Sequence, residues 1–367
     1  MKILVLGGTG AMGVPLVNIL AKENDVYVTS RKNNASSSNI HYETGNALNN
    51  EFLSKILSKH HWDAIVDFMV RTRENLVDNL PLLLKSTNQY VFISSARVYA
   101  ESDAPITEDT PRLLDVSTDQ EFLNTNEYAL AKAREEDILF NCKQKNYTIV
   151  RPSITYNDQR LQLGVFEKEE WLIRVLNGHS IVFSKDLMDK TTTMTHGDDV
   201  AAGIASLIGK RDALGKAFHI TSPKSLKWSE VLRIYKETLE KTLGKEIKIM
   251  LTETSTNFIF PEKKYQLIYC RYFNRKFDNS RISEFIDVDK FKTPEEGLRE
   301  CLEKCIENPH FLPENTYLEA EHDRICNEDR PLKTLNGLNK KLTYLLIRHN
   351  LHPLYKGLSK IKNFKFQ

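Results

Sequence analysis

The chain has 367 residues, 41% of them hydrophobic and 27% charged, with a formal net charge of +2. This is the profile of a soluble globular protein long enough for two domains and a substantial core, and so small a net charge singles out no partner. No apolar run approaches the ~20 residues that a spanning helix needs, which excludes an integral membrane protein of the helical kind. The chain opens on a buried strand and not on a signal peptide. Met1 to Gly13 reads as an unbroken apolar run (Ile3, Leu4, Val5, Leu6) followed by glycines at Gly7, Gly10 and Gly13. Val14, Leu16, Val17, Ile19 and Leu20 then recur at helical spacing. Strand, glycine turn and helix in that order are the context of a dinucleotide site. Gly7 permits the tight turn, Gly10 lets backbone approach a pyrophosphate, and Gly13 lets helix pack close to strand. The diphosphate would rest on the positive end of the helix, among Thr9, Gly10, Ala11 and Met12.

A second strand, Val26 to Ser30, ends in Ser30-Arg31-Lys32. A site that prefers NAD has an acid here for the ribose hydroxyls, whereas a serine followed by two cations suits a 2′-phosphate and favours NADP. A polar turn over Asn33 to Asn39 precedes a short third strand at His41-Tyr42, and Asn46 beyond it could hold an adenine. Asp63 to Phe68 and Gln89 to Ser94 form buried fourth and fifth strands, with helical patterns at Asn50–Lys59 and Asn75–Lys85 between them. Such alternation predicts an α/β fold, a doubly wound parallel sheet of Rossmann type. Ligands on such a sheet lie beyond the carboxyl ends of the strands, where Phe68, Met69 and Ser94-Ser95 stand. Arg97 to Thr125 reads as loop, Glu127 to Asn141 as helix, and Thr148 to Arg151 as a further strand closed by Pro152.

The helix beginning at Glu127 carries Tyr128 and Lys132 four residues apart, hence on one face. An ammonium beside a phenol favours phenolate, so Tyr128 could move a proton to or from a substrate oxygen that Ser95 holds. Beside a nicotinamide, this makes a site for hydride transfer at a carbinol carbon. The five cysteines (Cys142, Cys270, Cys301, Cys305, Cys326) are odd in number and lack paired close spacing. They read as reduced thiols of a cytoplasmic protein. Cys301 and Cys305 share a helical face without further ligands nearby, so no metal site is expected.

On these residues the chain resembles the extended short-chain dehydrogenase/reductases of the NAD-dependent epimerase/dehydratase type. Gly7-Gly8-Thr9-Gly10-Ala11-Met12-Gly13 is similar to that family's GxxGxxG turn, and Ser94-Ser95-Ala96-Arg97-Val98-Tyr99 to its SSAxVYG element. Tyr128-Ala129-Leu130-Ala131-Lys132 matches YxxxK, and Arg151-Pro152-Ser153-Ile154-Thr155-Tyr156 resembles RPxxxYG. Thr195 to Ala201 resembles the element that returns the chain to the cofactor domain. The resemblance implies Ser95 as catalytic serine, Tyr128 as acid/base and Lys132 as its partner and a ribose ligand. It further implies Arg151 and Ser153 beside the cofactor. It covers residues 1 to about 308. The implied cofactor domain is 1–156 and 190–222, with a substrate domain at 157–189 and 223–310 and a C-terminal extension at 311–367.

Departures from the pattern also speak. Asn46 replaces an Asp near the adenine, and Asn157 replaces the glycine after Tyr156. Ser95-Ala96-Arg97 stands where 4,6-dehydratases carry Thr-Asp-Glu, which removes their acid and base and disfavours that reaction. In the substrate domain Arg160, Lys185 and Arg271 are candidates for a substrate diphosphate, and Ser95, Arg97 and Tyr128 are further candidate substrate contacts. Trp228 to Leu243 reads as an amphipathic helix of ordinary packing type.

Leu332 to Gln367 holds eight Lys or Arg and no acid, together with Leu342, Leu345, Leu346, Ile347, Leu351, Leu354, Leu358 and Ile361. This segment either packs on its own body or on a second subunit, giving a homodimer, or lies on an anionic membrane at its inner face. The expected activity is an NAD(P)-dependent oxidoreductase on a nucleotide sugar, either an epimerase through a keto intermediate or a 4-keto-sugar reductase. Nucleic acid is not an expected partner on that reading. The alternative is a non-catalytic nucleotide- or RNA-binding regulator on the same fold.

Overall fold

A computed structural model describes residues 1–257 and 263–359. The described chain divides into two compact units.

The first unit comprises Met1–Asn157, Thr192–Leu226 and Asn274–Gly297. Its centre is a parallel sheet of seven strands: β1 (Lys2–Leu6), β2 (Asp25–Ser30), β3 (Ile40–Thr44), β4 (Ala64–Asp67), β5 (Tyr90–Ile93), β6 (Tyr147–Pro152) and β7 (Lys216–Ile220). Their order in space is β7-β6-β5-β4-β1-β2-β3, and all six pairings are parallel. The order reverses between β1 and β4, which is where a doubly wound sheet opens its crevice. Side chains alternate across the strand, so β1 serves two cores at once. Ile3 and Val5 join Leu16, Val17, Val200 and Ile204 on one face, while Leu4 and Leu6 join Leu53, Leu76, Leu80 and Leu83 on the other. Burial on both faces is the reason that β1 is apolar without interruption.

Helices α1 (Gly13–Leu20), α2 (Asn50–Leu57), α3 (Arg73–Lys85), α4 (Tyr128–Asn141) and α5 (Gly197–Leu207) cover the sheet. Asn49 caps α2 and Thr72 caps α3 by accepting from Phe52 N and Asn75 N, satisfying amides that have no partner within the helix. The stretch read as loop from Arg97 to Thr125 contains a 3-10 turn at Ala96–Val98 and one-turn helices at Leu113–Val116 and Gln120–Leu123. Strand β7 is an addition to the sequence reading. So is the membership of Asn274–Gly297 in this unit, where Ile282, Val288 and Phe291 enter the core beside Phe218 of β7.

The second unit comprises Asp158–Thr191, Lys227–Phe273 and the chain from Leu298 onward. It holds the helices Lys168–Leu176 and Trp228–Leu243, with Trp171 stacked on Tyr235 at 4.6 Å between ring centroids. A two-stranded parallel sheet joins Ile181–Ser184 to Ile249–Thr252. The described residues beyond 310 cluster with this unit and not as a separate extension. Helices α6 (Thr316–Cys326), α7 (Leu338–Arg348) and α8 (His352–Ser359) pack together around Ala320, Leu335, Tyr344 and Ile347. The buried Arg174 ties them to the body of the unit, donating to Asp323 Oδ1 at 2.8 Å and Glu328 Oε2 at 3.1 Å. The own-body alternative for the basic tail therefore describes its inner face, while Ile361 lies outside the described residues. Among the described residues no helix is long and apolar enough to cross a membrane.

Candidate active site

Because the sheet is parallel, the carboxyl ends of its strands share one edge, and the turns after β1, β4, β5 and β6 all leave from it. The glycine turn after β1 stands at the point of reversal. Gly7 takes φ +74°, and a Cβ there would meet Met69 Sδ at 2.8 Å. Gly13 opens α1 so close to the preceding turn that a Cβ would fall 2.6 Å from the carbonyl carbon of Gly8. At Gly10, by contrast, an added Cβ meets nothing within 4 Å, and Thr9 and Gly10 are exposed. Close helix packing at Gly13 and open space above Gly10 are what a bound diphosphate requires. Two further contacts brace the turn. A Cβ on Gly197, at the start of α5, would lie 2.8 Å from Ala11 O, and Thr155 Oγ1 reaches Met12 Sδ at 3.6 Å.

At the end of β2, Ser30 Oγ accepts from Lys32 N at 3.1 Å and from Asn34 Nδ2 at 3.0 Å. That turn leaves Arg31 and Lys32 exposed, and neither pairs with a carboxylate among the described residues. Asn46 is exposed past β3, its Oδ1 accepting from Leu48 N at 3.1 Å. Phe68 and Met69 follow Asp67 at the end of β4, and Met69 N donates to Asp67 Oδ1 at 2.9 Å.

Ser95, past β5, caps the 3-10 turn by accepting from Arg97 N at 3.2 Å. The Arg97 guanidinium then lies 5.3 Å from the centre of the Tyr128 ring and pairs with Glu127. One short turn thus links the Ser95 strand end to the first residue of α4, where Tyr128 is 39% exposed. Lys132 is different. Its ammonium is buried, donates to Glu135 Oε2 at 2.8 Å and sits 4.7 Å from the Phe92 ring centre. No hydrogen bond joins Lys132 to Tyr128 among the described residues. Burial pushes the Glu135 carboxyl above its usual range, and Lys132 draws it back.

Arg151, expected beside the cofactor, is buried near the carboxyl end of β6. It makes a two-pronged pair with the buried Glu136, Nε to Oε1 at 2.7 Å and Nη2 to Oε2 at 2.8 Å, and Nη1 donates to Glu108 O at 3.1 Å. Glu136 also accepts from Ser94 Oγ at 2.6 Å, so β5, α4 and β6 meet at one carboxylate. Ser153 Oγ is likewise turned inward, donating to Thr193 O at 3.0 Å. The sequence reading did not single out the buried acids Asp67, Glu135 and Glu136. Glu135 was detectable, since it lies three residues past Lys132 on the same helix face.

The substrate candidates of the second unit are engaged within it. Arg160 pairs with Glu167 at 3.0 Å and Lys185 with Glu253 at 2.5 Å, all partly exposed. Arg271 is buried, donating to Gly164 O at 2.8 Å and Gln162 Oε1 at 3.2 Å, which removes it from a ligand's reach within that unit.

Residues 3–220 match the NAD dependent epimerase/dehydratase family. The chain belongs to that family. Solved structures similar to this family member include the dTDP-glucose 4,6-dehydratase of Bacillus anthracis in complex with NAD, at 18% identity and a TM-score of 0.61, covering 84% of this chain and 97% of that one. The UDP-glucuronic acid 4-epimerase of Bacillus cereus, in complex with UDP-glucuronic acid and NAD, gives 18% and 0.60 over 84% and 100%. The UDP-glucose 4-epimerase of Bifidobacterium longum, with NAD+ and UDP, gives 19% and 0.59 over 84% and 99%. At such identities the likeness is one of fold. A curated relative, the chloroplast stem-loop binding protein of 41 kDa b from Arabidopsis thaliana, is 24% identical over 239 residues, 61% of this chain and 59% of that protein. The epimerase/dehydratase-family chain thus matches little more than half of that relative's length.

Proposed function

We propose that this protein is an NAD(P)-dependent oxidoreductase of a nucleotide sugar. The observation that carries the reading is the open glycine turn at the sheet's point of reversal, on the same edge as Ser95 and the exposed Tyr128. Thr9 to Gly13 would hold the dinucleotide diphosphate, and Ser30, Arg31 and Lys32 the adenosine ribose, with a 2′-phosphate preferred. A nicotinamide bound there supplies hydride acceptance or donation. Tyr128 moves the hydroxyl proton, Ser95 holds the reacting oxygen, and Arg97 keeps the phenol ring oriented. Family membership and neighbours in complex with UDP-glucuronic acid and UDP support a nucleotide-sugar substrate. An epimerase would return the hydride to the other face of the sugar, whereas a reductase would release product and consume NADPH.

Mass spectrometry of nucleotides retained after gentle purification tests the reading directly. A nicotinamide dinucleotide is expected, and Tyr128→Phe should then lower turnover of the accepted sugar by a factor of about 10²–10⁴ while leaving dinucleotide binding intact. Loss of absorbance at about 340 nm with a 4-keto sugar favours the reductase, and stereoinversion without net change favours the epimerase. The stem-loop binding relative supports a second reading, an RNA-binding protein on the same fold. Stem-loop binding and cellular function both unaffected by Tyr128→Phe, with no dinucleotide retained, would favour it.

A further inference from the structure

We propose that the outer face of α7 and α8 docks the protein on an anionic lipid surface. The inner face of α7 is already occupied: Tyr344 and Ile347 are buried against α6, and Tyr344 Oη donates to Asp323 Oδ2 at 2.5 Å. That contact fixes the rotation of the helix, so its opposite side faces away from α6. There Leu338 is 77% exposed and Leu345, two turns on, 37% exposed, followed by Leu351 at 42% and Leu354 at 57%. Four exposed leucines on two consecutive helices and their link thus offer apolar anchors.

The helices that carry these leucines are basic. From Leu332 to Ser359 the chain has Lys333, Lys340, Lys341, Arg348 and Lys356 and no Asp or Glu. The acids of the neighbouring segment are turned to their own cations. Asp323 meets Arg174 at 2.8 Å, Glu321 meets Arg324 at 2.7 Å and His352 at 3.0 Å, and Asp329 meets Arg348 at 2.9 Å. Lys333, Lys340 and Lys341 pair with no carboxylate among the described residues. Exposed leucines on helices that also carry lysines fit the boundary between headgroups and acyl chains: the leucines leave water while the cations remain among anionic headgroups. RNA fits less well, because leucine offers a base neither a stacking ring nor a hydrogen bond. A second copy of this face would bring like charges together.

Sedimentation of the full-length protein with vesicles tests this, using phosphatidylcholine alone and phosphatidylcholine with about a third phosphatidylglycerol. The protein is expected to sediment only with the anionic vesicles and to be released by high salt. Lys340→Glu with Lys341→Glu should weaken partitioning at least about tenfold, and Leu338→Ser with Leu354→Ser by a comparable factor. All four side chains are at least partly exposed, so circular dichroism and thermal midpoints should match the parent. Absence of binding to anionic vesicles, equal binding to neutral ones, or unchanged binding by both double variants overturns the proposal. It is equally overturned if these variants abolish capture of a stem-loop RNA, or dissociate a dimer, in a protein that ignores vesicles.

Discussion

Lys132 and Glu135 form an ion pair at 2.8 Å with side chains only 4% and 3% exposed, one turn beyond the tyrosine that opens α4. Asp67 and Arg71 form a second buried pair at 2.7 Å, and both act electrostatically on Glu135. Removing one member of such a pair leaves a charge without water or partner. Glu135→Ala is therefore expected to cost about 3 kcal/mol of stability, and Glu135→Gln, which keeps an acceptor, roughly half as much. Urea denaturation reads both, with an unchanged slope if the unfolded state is unaffected. A cost under about 0.5 kcal/mol for the alanine variant would mean that water reaches Lys132.

Gly10 and Gly13 make opposite demands on an added methyl group. At Gly13 the methyl meets backbone, and Gly13→Ala should lose about 2 kcal/mol or more together with dinucleotide affinity. Gly10→Ala has room, so its stability should stay within about 0.5 kcal/mol while the affinity for NADH or NADPH falls. Thermal melts beside fluorescence titration of the dinucleotide separate these effects. If Gly10→Ala binds both forms like the parent, the diphosphate does not lie over the turn.

Exposed Arg31 and Lys32 bear on the choice of coenzyme. Replacing both with serine should weaken NADPH binding about tenfold and leave NADH within roughly twofold. Titration of each coenzyme checks this, and equal losses for both would remove the preference for the 2′-phosphate.

His179 links pH to the second unit. Its Nδ1 lies 3.2 Å from Asp323 and 3.6 Å from Glu319, which raise its pKa to about 9. A histidine whose folded pKa lies above the unfolded value of 6.5 lends stability that is complete below pH 6.5 and is lost as pH rises through about 9. After discount for solvent screening the loss should be about 1–2 kcal/mol. Melting of the full chain across that interval should decline for the parent and stay flatter for His179→Gln. Parallel slopes would assign the pH response to another group.

What could be read in one dimension was local. The uninterrupted Ile3–Leu6 run, the spacing of Gly7, Gly10 and Gly13 and the helical recurrence after them determine β1, its turn and α1, because each depends on neighbours within a few residues. The same holds for placing Tyr128 at the start of a helix and Ser95 past a strand end. The orientation of charged side chains was decided only in the folded chain. Tyr128 and Lys132 share a helix face in sequence, yet Lys132 turns to Glu135 because a buried ammonium takes the nearest carboxylate. Arg151 goes to Glu136 for the same reason. Asn274–Gly297 returns to the first sheet, and Arg174 finds Asp323 149 residues away, because desolvated charges and uncovered apolar faces select partners by proximity in space, which a linear pattern does not encode.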